Sequence, residues 1–331
     1  MSGHRILVTS GVARLQRVQL DALNRDGFTL RDAFELDRVE DDDVLTPALT
    51  GVWGTIAGGE AYSRAVLERA SDLRVVVRCG VGYDAVDVDA ASELGVTVVT
   101  TPGANDEAVA DFTLAIMLAC LRQVVQMDRS VRSGGWRLAL PGRDLANATV
   151  GIVGLGLIGR AVARRLAGFG CRILVVDPAP DREFCERAGV EVVTLDELLP
   201  QVDVLTVHAP LLPATRGLIG ERELALLPRE AIVVNAARGG VVAEEALVAA
   251  LSNGQIAGAA LDVFEHEPLG STHPLARMDN VVLTPHAAGL SRDAVTRMID
   301  AAMSAVRDVA AGRVPKGCVN PDYVRGTRAQ R

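Results

Sequence analysis

Lysine is almost missing from this 331-residue chain: Lys316 is the only one among 34 basic residues, and the rest are arginine. The excess of Arg goes with abundant Ala and Val and is read as compositional, without functional weight. Against 42 acidic residues the basic ones leave a net charge of -8. No local basic stripe offsets it, so a phosphate backbone would be repelled and nucleic acid is not an expected partner.

Cysteine is scarce as well. Cys79, Cys120, Cys171, Cys185 and Cys318 are scattered, odd in number and without C-x-x-C spacing. That pattern predicts no zinc site, no dithiol redox site and no disulfide framework; no metal is expected. No run of about 18 apolar residues occurs, and the opening MSGHRILVTS lacks an apolar stretch followed by a cleavage site. The expectation is a reduced, cytoplasmic protein with no membrane partner.

What is present is an ordinary globular composition, 49% hydrophobic and 23% charged, on a chain long enough for two domains with a cleft between them. Short runs rich in Val and Ile alternate with segments of helical period, the signature of an α/β fold with parallel sheets. Strands are predicted at Arg5–Thr9, Gly51–Trp53, Leu73–Arg78 and Val96–Val99, with a helix at Ser63–Ala70. Turn chemistry at Thr101-Pro102-Gly103-Ala104-Asn105 then precedes an apolar helix from Glu107 to Gln123.

A loop over 133–142 leads to a second, richer series of strands. These are Val150–Val153, Ile173–Asp177, Val192–Val193, Val204–His208, Ala231–Asn235, Ala259–Val263 and Val281–Leu283. A last amphipathic helix, Arg292–Ala311, carries Val295, Met298, Ala302 and Val306 on one face. The reading is two Rossmann-like, doubly wound parallel-sheet domains, with a cofactor domain (102–289) inserted into a substrate domain (1–101 and 290–331).

Gly154-Leu155-Gly156-Leu157-Ile158-Gly159 lies between the strand Val150–Val153 and a helix, where a pyrophosphate meets helix-end N–H donors. A lone glycine motif of this kind is weak evidence. Asp177, at the end of the next strand, strengthens it: a carboxylate there accepts bonds from the ribose hydroxyls of NAD and repels the added phosphate of NADP. NAD is the expected cofactor.

Hydride transfer from a secondary alcohol also needs a base, a cation and a dry pocket. Of five histidines, His286 follows a strand within the small-residue loop Thr284-Pro285-His286-Ala287-Ala288-Gly289. His208 also ends a strand, whereas His4, His266 and His273 read as exposed. Arg238 follows the strand Ala231–Asn235 among small residues, where doubly wound sheets place ligands. Glu267 follows Ala259–Val263 and is suited to pair with an imidazole.

In this order of motifs the chain resembles the D-isomer-specific 2-hydroxyacid dehydrogenase family over about residues 50–321. The resemblance is carried by Arg78-Cys79-Gly80-Val81-Gly82-Tyr83-Asp84, Thr101 to Asn105, Val109-Ala110-Asp111, the glycine turn, Val207-His208-Ala209-Pro210-Leu211, Asn235 to Gly240, Ala259 to Pro268 and Thr284-Pro285-His286. It implies hydride transfer between NAD and C2 of a 2-hydroxy or 2-keto acid. His286 would be the acid/base, Glu267 its carboxylate partner and Arg238 the cation on the substrate's carboxylate and carbonyl oxygen. Gly80, Val81 and Gly82 would offer backbone N–H groups to the substrate carboxylate, and cleft closure would complete the site. Around NAD it suggests Thr101, Leu157, Ile158, Asp177, Ala209, Ala237, Asp262 and Gly289, with Asp262 near the carboxamide or else a strand-end acid bonded to backbone.

Two departures stand out. Leu157 occupies a position where the family commonly has Arg, which leaves the helix N-terminus to hold the pyrophosphate. Ala209 and Ala243 replace frequent polar residues.

Within the family the texture is most similar to phosphoglycerate dehydrogenases, with Arg78 either a phosphate ligand or a structural strand-end charge. With no further domain expected after the last helix, feedback through a regulatory domain is not expected either. Glyoxylate or hydroxypyruvate reduction and a specialised 2-hydroxy acid are the alternatives. An NAD-sensing corepressor-like binding protein is the alternative of another class. The apolar segment Asn105–Trp136 and the family's habit together imply a homodimer or tetramer.

Overall fold

The computed structural model describes residues 3–136 and 141–324. The loop expected over 133–142 therefore lies partly outside the described residues, as does the end of the expected 290–331 segment. The chain forms two compact units, one from residues 1–105 with 290–331 and the other from 106–289. The first crossing falls at the start of the helix Asp106–Leu121.

The smaller unit holds a five-stranded parallel sheet of order β2-β1-β3-β4-β5. Its strands are β1 (Arg5–Val8), β2 (Thr29–Asp32), β3 (Gly54–Ala57), β4 (Val75–Arg78) and β5 (Thr97–Val99). Alternate residues face opposite cores: Ile6, Val8, Val75 and Val77 pack in one cluster, Leu7 and Val76 in the other. This period of two explains why buried strands read as unbroken apolar runs. The helix Arg292–Ala310 covers the first of these faces with Ile299, Ala302, Met303 and Val306.

One expectation needs correction here. The strand expected at Gly51–Trp53 runs instead over Gly54–Ala57, in register with Ile6–Val8 and with Val75–Arg78. Its residues are small, and all four are buried in the sheet interior. β2 had no sequence signal, because Thr-Leu-Arg-Asp lies on the sheet edge and is largely exposed.

The larger unit has a seven-stranded parallel sheet, β12-β11-β10-β9-β6-β7-β8. In chain order these are β6 (Thr149–Val153), β7 (Arg172–Val176), β8 (Glu191–Val192), β9 (Val204–Val207), β10 (Ile232–Asn235), β11 (Gly258–Leu261) and β12 (Val281–Leu283). The helix Asp106–Leu121 buries Val109, Leu114, Met117 and Leu121 against Val150, Ile152, Val204 and Val234. Each such side chain contributes roughly 1.5–3 kcal/mol on burial.

The order reverses between β6 and β9, since the chain winds outward through β7 and β8 and then returns to the other side of β6. That is the crevice where open parallel sheets bind ligands. A helix that was not expected, Val124–Arg132, buries none of its residues and leaves Val124, Met127 and Val131 exposed.

Candidate active site

The glycine turn opens at the carboxyl end of β6, on that crevice. Gly154 has φ +96, and a Cβ there would lie 2.8 Å from the carbonyl carbon of His208 and 2.9 Å from the nitrogen of Ala209. Only glycine lets the turn lie on the backbone that follows β9. Gly159 is the first-turn residue of the helix Leu157–Leu166, and a Cβ there would fall 2.1 Å from the Gly154 carbonyl oxygen. Gly156 differs: a Cβ would meet no protein atom within 4 Å. Two glycines thus compress the turn and the third leaves open space before a helix N-terminus, the arrangement that fits a pyrophosphate.

Asp177 stands one residue past β7. Its Oδ2 accepts the Leu155 N–H at 2.7 Å and its Oδ1 accepts the Ala179 N–H at 2.8 Å. The carboxylate is held rigidly beside the glycine turn, as an acid that reads ribose hydroxyls must be. Arg160, which sequence reasoning missed, pins the turn from below by donating to Leu155 O at 3.0 Å while pairing with Asp181 at 2.8 Å. Leu157 is exposed and Ile158 packs partly into the core. The residues present therefore fit NAD.

The smaller unit has an equivalent reversal between β1 and β3, but it is filled from within. Asp37 accepts N–H bonds from Gly11 and Gly59, both at 2.7 Å, so a carboxylate of the chain itself occupies the place of a bound anion.

At the carboxyl ends of β10, β11 and β12 the structure gathers the three residues singled out for chemistry. His286 Nδ1 lies 2.8 Å from Glu267 Oε2, and Glu267 Oε1 accepts the Phe264 N–H at 3.1 Å. His286 is partly exposed and sits at φ +52, a left-handed conformation that is uncommon for residues other than glycine. Asp262 holds it there. This fully buried side chain accepts bonds from the Thr284 hydroxyl (2.6 Å) and from the N–H groups of Ala287 (2.9 Å) and Ala288 (2.8 Å). The His286 N–H donates to the Asp262 carbonyl at 2.8 Å. Asp262 thus bonds to the loop backbone, and Thr284 is a brace that the sequence did not reveal.

Arg238 is half-buried and donates to Ala237 O at 2.8 Å. Asn235 fixes its loop from both sides, accepting the Ala237 N–H at 3.0 Å and donating to Arg238 O at 2.9 Å. Asn235 was legible only as a strand end. Gly289 closes the larger unit at the end of the His286 loop.

In the smaller unit Thr101 is buried and its hydroxyl is engaged with Gly80: it accepts the Gly80 N–H at 2.9 Å. This bond shapes the Gly80-Val81-Gly82 loop. Arg78 is only 8% exposed, with Nε 3.5 Å from Gly82 O, and its Nη1 has no hydrogen-bond partner among the described residues. Glu60 lies fully buried nearby, accepting bonds from the Thr9 hydroxyl, from the Tyr62 hydroxyl (2.9 Å) and from the Gly58 N–H (2.9 Å). Burial pushes the Glu60 carboxyl above its ordinary range, while these bonds and the Arg78 charge pull it down. The charge of Arg78 acts on Glu60 through space, with no ion pair between them.

Burial pushes the Cys79 and Cys120 thiols up to about 12, which excludes both as thiolate nucleophiles. No single helix among the described residues is long and apolar enough to cross a membrane.

Comparison with known proteins agrees with this geometry. Residues 114–288 match the family model described as D-isomer specific 2-hydroxyacid dehydrogenase, NAD binding domain. A glyoxylate reductase of Korarchaeum cryptofilum is 42% identical over 295 residues, 88% of this chain and 86% of the relative. The chain belongs to the D-isomer specific 2-hydroxyacid dehydrogenase family. As a member it is an NAD-dependent oxidoreductase acting on the CH–OH group of 2-hydroxy acids.

A D-3-phosphoglycerate dehydrogenase of Methanocaldococcus jannaschii is 39% identical over 287 residues, which is 86% of this dehydrogenase but 53% of that relative. Among solved structures, an NADPH-dependent glyoxylate/hydroxypyruvate reductase of Sinorhizobium meliloti, in complex with NADP and malonate, superposes with a TM-score of 0.83 at 31% identity. It covers 96% of this chain and 98% of that one.

Proposed function

We propose that the enzyme interconverts a small, non-phosphorylated 2-keto acid of the glyoxylate or hydroxypyruvate class with the corresponding 2-hydroxy acid. The observation that carries the choice of substrate is the burial of Arg78, 8% exposed with Nε turned to Gly82 O, which withdraws its charge from a distal phosphate. The 86% coverage of a glyoxylate reductase supports the same choice.

Gly154, Gly156, Leu157, Ile158 and Gly159 would hold the NAD pyrophosphate, and Asp177 the adenosine ribose. Thr101, Ala209, Ala237, Asp262 and Gly289 are the further contacts proposed. When bound, NAD gives or takes the hydride at the substrate's C2. The chain supplies the rest. Glu267 accepts the Nδ1 proton of His286, which makes Nε2 the nitrogen that exchanges a proton with the substrate oxygen. In reduction His286 delivers that proton as imidazolium, and in oxidation it removes the hydroxyl proton, with Glu267 holding the ring at Nδ1 in both directions. Arg238 binds the substrate carboxylate and polarises the carbonyl oxygen. Backbone N–H groups of Gly80, Val81 and Gly82 are proposed as further donors to the carboxylate.

NADH consumption measured with glyoxylate, hydroxypyruvate, pyruvate and phosphohydroxypyruvate tests the reading. Turnover on the first two, with a phosphorylated acid at least tenfold poorer in kcat/KM, is expected; no turnover on any of the four would overturn it. A phosphoglycerate dehydrogenase remains the second reading, favoured by the unpartnered Nη1 of Arg78. Preference for the phosphorylated acid would establish that reading instead. Association into a homodimer is proposed from the exposed Val124, Met127 and Val131 on one helix, and sedimentation of a Val131→Asp variant tests it.

A further inference from the structure

The helix Glu244–Ser252 begins without a cap of its own. Ala243 stands at the N-cap and offers no side-chain acceptor to the first N–H groups. The missing acceptor comes from a loop 21 residues downstream: Glu265 Oε1 accepts the Glu244 N–H at 3.0 Å. The exchange is reciprocal, because Glu244 Oε2 accepts the Glu265 N–H at 3.1 Å. The second carboxylate is itself fixed. His273 Nε2 lies 3.2 Å from Glu244 Oε1, and His273 Nδ1 accepts the Leu275 N–H at 3.3 Å, so the ring carries its proton on the nitrogen facing Glu244. Glu244 is only 13% exposed, whereas Glu265 reaches in from an exposed position. The two negative charges are tolerated because both lie near a helix N-terminus.

This clasp closes on the short segment to which the site is tied. Phe264, adjoining Glu265, donates its N–H to Glu267, the residue paired with His286. From the other side the Arg238 loop leans on the same segment: a Cβ on Gly239 would lie 1.9 Å from Phe264 O and 2.6 Å from Glu265 N. Arg238 and Glu267 therefore share one wall, and the clasp anchors that wall to the helix.

We infer that Glu244 and Glu265 are positioning residues for the reaction, setting the separation of Arg238 from the Glu267–His286 pair through backbone bonds. Neither touches substrate or cofactor in this scheme. The inference rests on the roles proposed above for those three residues. It explains why Ala243 is sufficient at a cap position where a polar residue is frequent: Glu265 performs the capping and aligns the site by the same bond.

Single variants Glu265→Ala and Glu244→Ala, with their Gln counterparts, test it through steady-state kinetics, NADH titration and thermal melting of the full chain. Removing either acceptor should lower kcat about tenfold while KM and NADH affinity stay within the range of the wild type and Tm falls by only a few degrees, as loss of a helix cap requires. Glu265→Gln keeps an oxygen toward the Glu244 N–H and should restore kcat to within about twofold of wild type, whereas Glu244→Gln, left with one oxygen for two donors, should recover only part. A wild-type kcat in the Ala variants would overturn the inference, as would Gln variants no better than Ala or a loss confined to KM. Should Glu265→Ala fail to fold, Glu265→Asp keeps the charge and shortens its reach; the same loss of kcat supports the clasp, and a wild-type value overturns it. Failure of the wild-type enzyme to turn over any 2-keto acid would instead count against the proposed function, which separates the two.

Discussion

Glu267 and His286 face each other at 2.8 Å across the ends of β11 and β12, with the histidine backbone at φ +52. The strain of that conformation, of order 1–3 kcal/mol, is held by the Asp262 bonds to the residues that follow it. His286→Ala is expected to lower kcat at least about 10²-fold while leaving NADH binding largely intact. Glu267→Gln keeps an acceptor for Nδ1 but replaces a charge-assisted bond by a neutral one, so an intermediate loss is expected. Normal turnover by the His286 variant, measured by NADH absorbance, would remove the base from the mechanism.

Asp177 should decide between the two dinucleotides. Its carboxylate is fixed by the Leu155 and Ala179 N–H groups and cannot swing away from an added phosphate. Asp177→Ser is expected to weaken NADH and improve NADPH, shifting the ratio of their Kd values at least about tenfold, roughly 1.4 kcal/mol. Fluorescence titration of both cofactors checks this, and an unchanged ratio would exclude Asp177 as the discriminator.

The glycine turn offers an internal control. Gly159→Ala places a Cβ 2.1 Å from Gly154 O and should disrupt the turn, with a fall in Tm as well as in NADH affinity. Gly156→Ala meets no protein atom, so its Tm should match the wild type. Any loss of NADH affinity in that variant then measures the space that the pyrophosphate needs.

His208, at the end of β9, predicts a pH dependence of stability. Burial lowers its pKa from 6.5 to about 4, with Nε2 bonded to Thr206 at 3.0 Å and Nδ1 without a partner among the described residues. As pH falls below 6.5 the unfolded chain takes up this proton and the folded one does not. Stability is therefore full above 6.5, declines through the window down to about 4 and loses no more below it, up to about 3 kcal/mol in all. Urea unfolding at pH 7 and pH 5 should show His208→Gln losing about 2 kcal/mol less than the wild type. Equal losses would mean that the ring is not buried as a neutral base.

Much of this architecture is legible in one dimension because parallel strands are buried on both faces. The Val- and Ile-rich runs of β1, β4, β6, β7, β9, β10 and β12 announce themselves, and β3 does not, since Gly54-Thr55-Ile56-Ala57 is built from small residues. β2 is missed because it buries little apolar surface, while the helix Val124–Arg132 carries Val124, Met127 and Val131 at helical spacing yet buries none of its residues. Gly154, Gly159 and Asp177 are readable because each answers a local backbone demand within one strand-turn-helix-strand unit.

The sequence by itself determined the α/β class, the glycine turn with its acid and the order in which Arg238, Glu267 and His286 follow. Folding decided what these residues touch. Asp262 braces the His286 loop through Thr284 and Ala288, 22 and 26 positions away, and Glu265 caps a helix from 21 positions away. Such pairings follow from sheet register and loop packing rather than from spacing along the chain. A carboxylate's partner is therefore set by the tertiary structure, even where its presence is plain in the sequence.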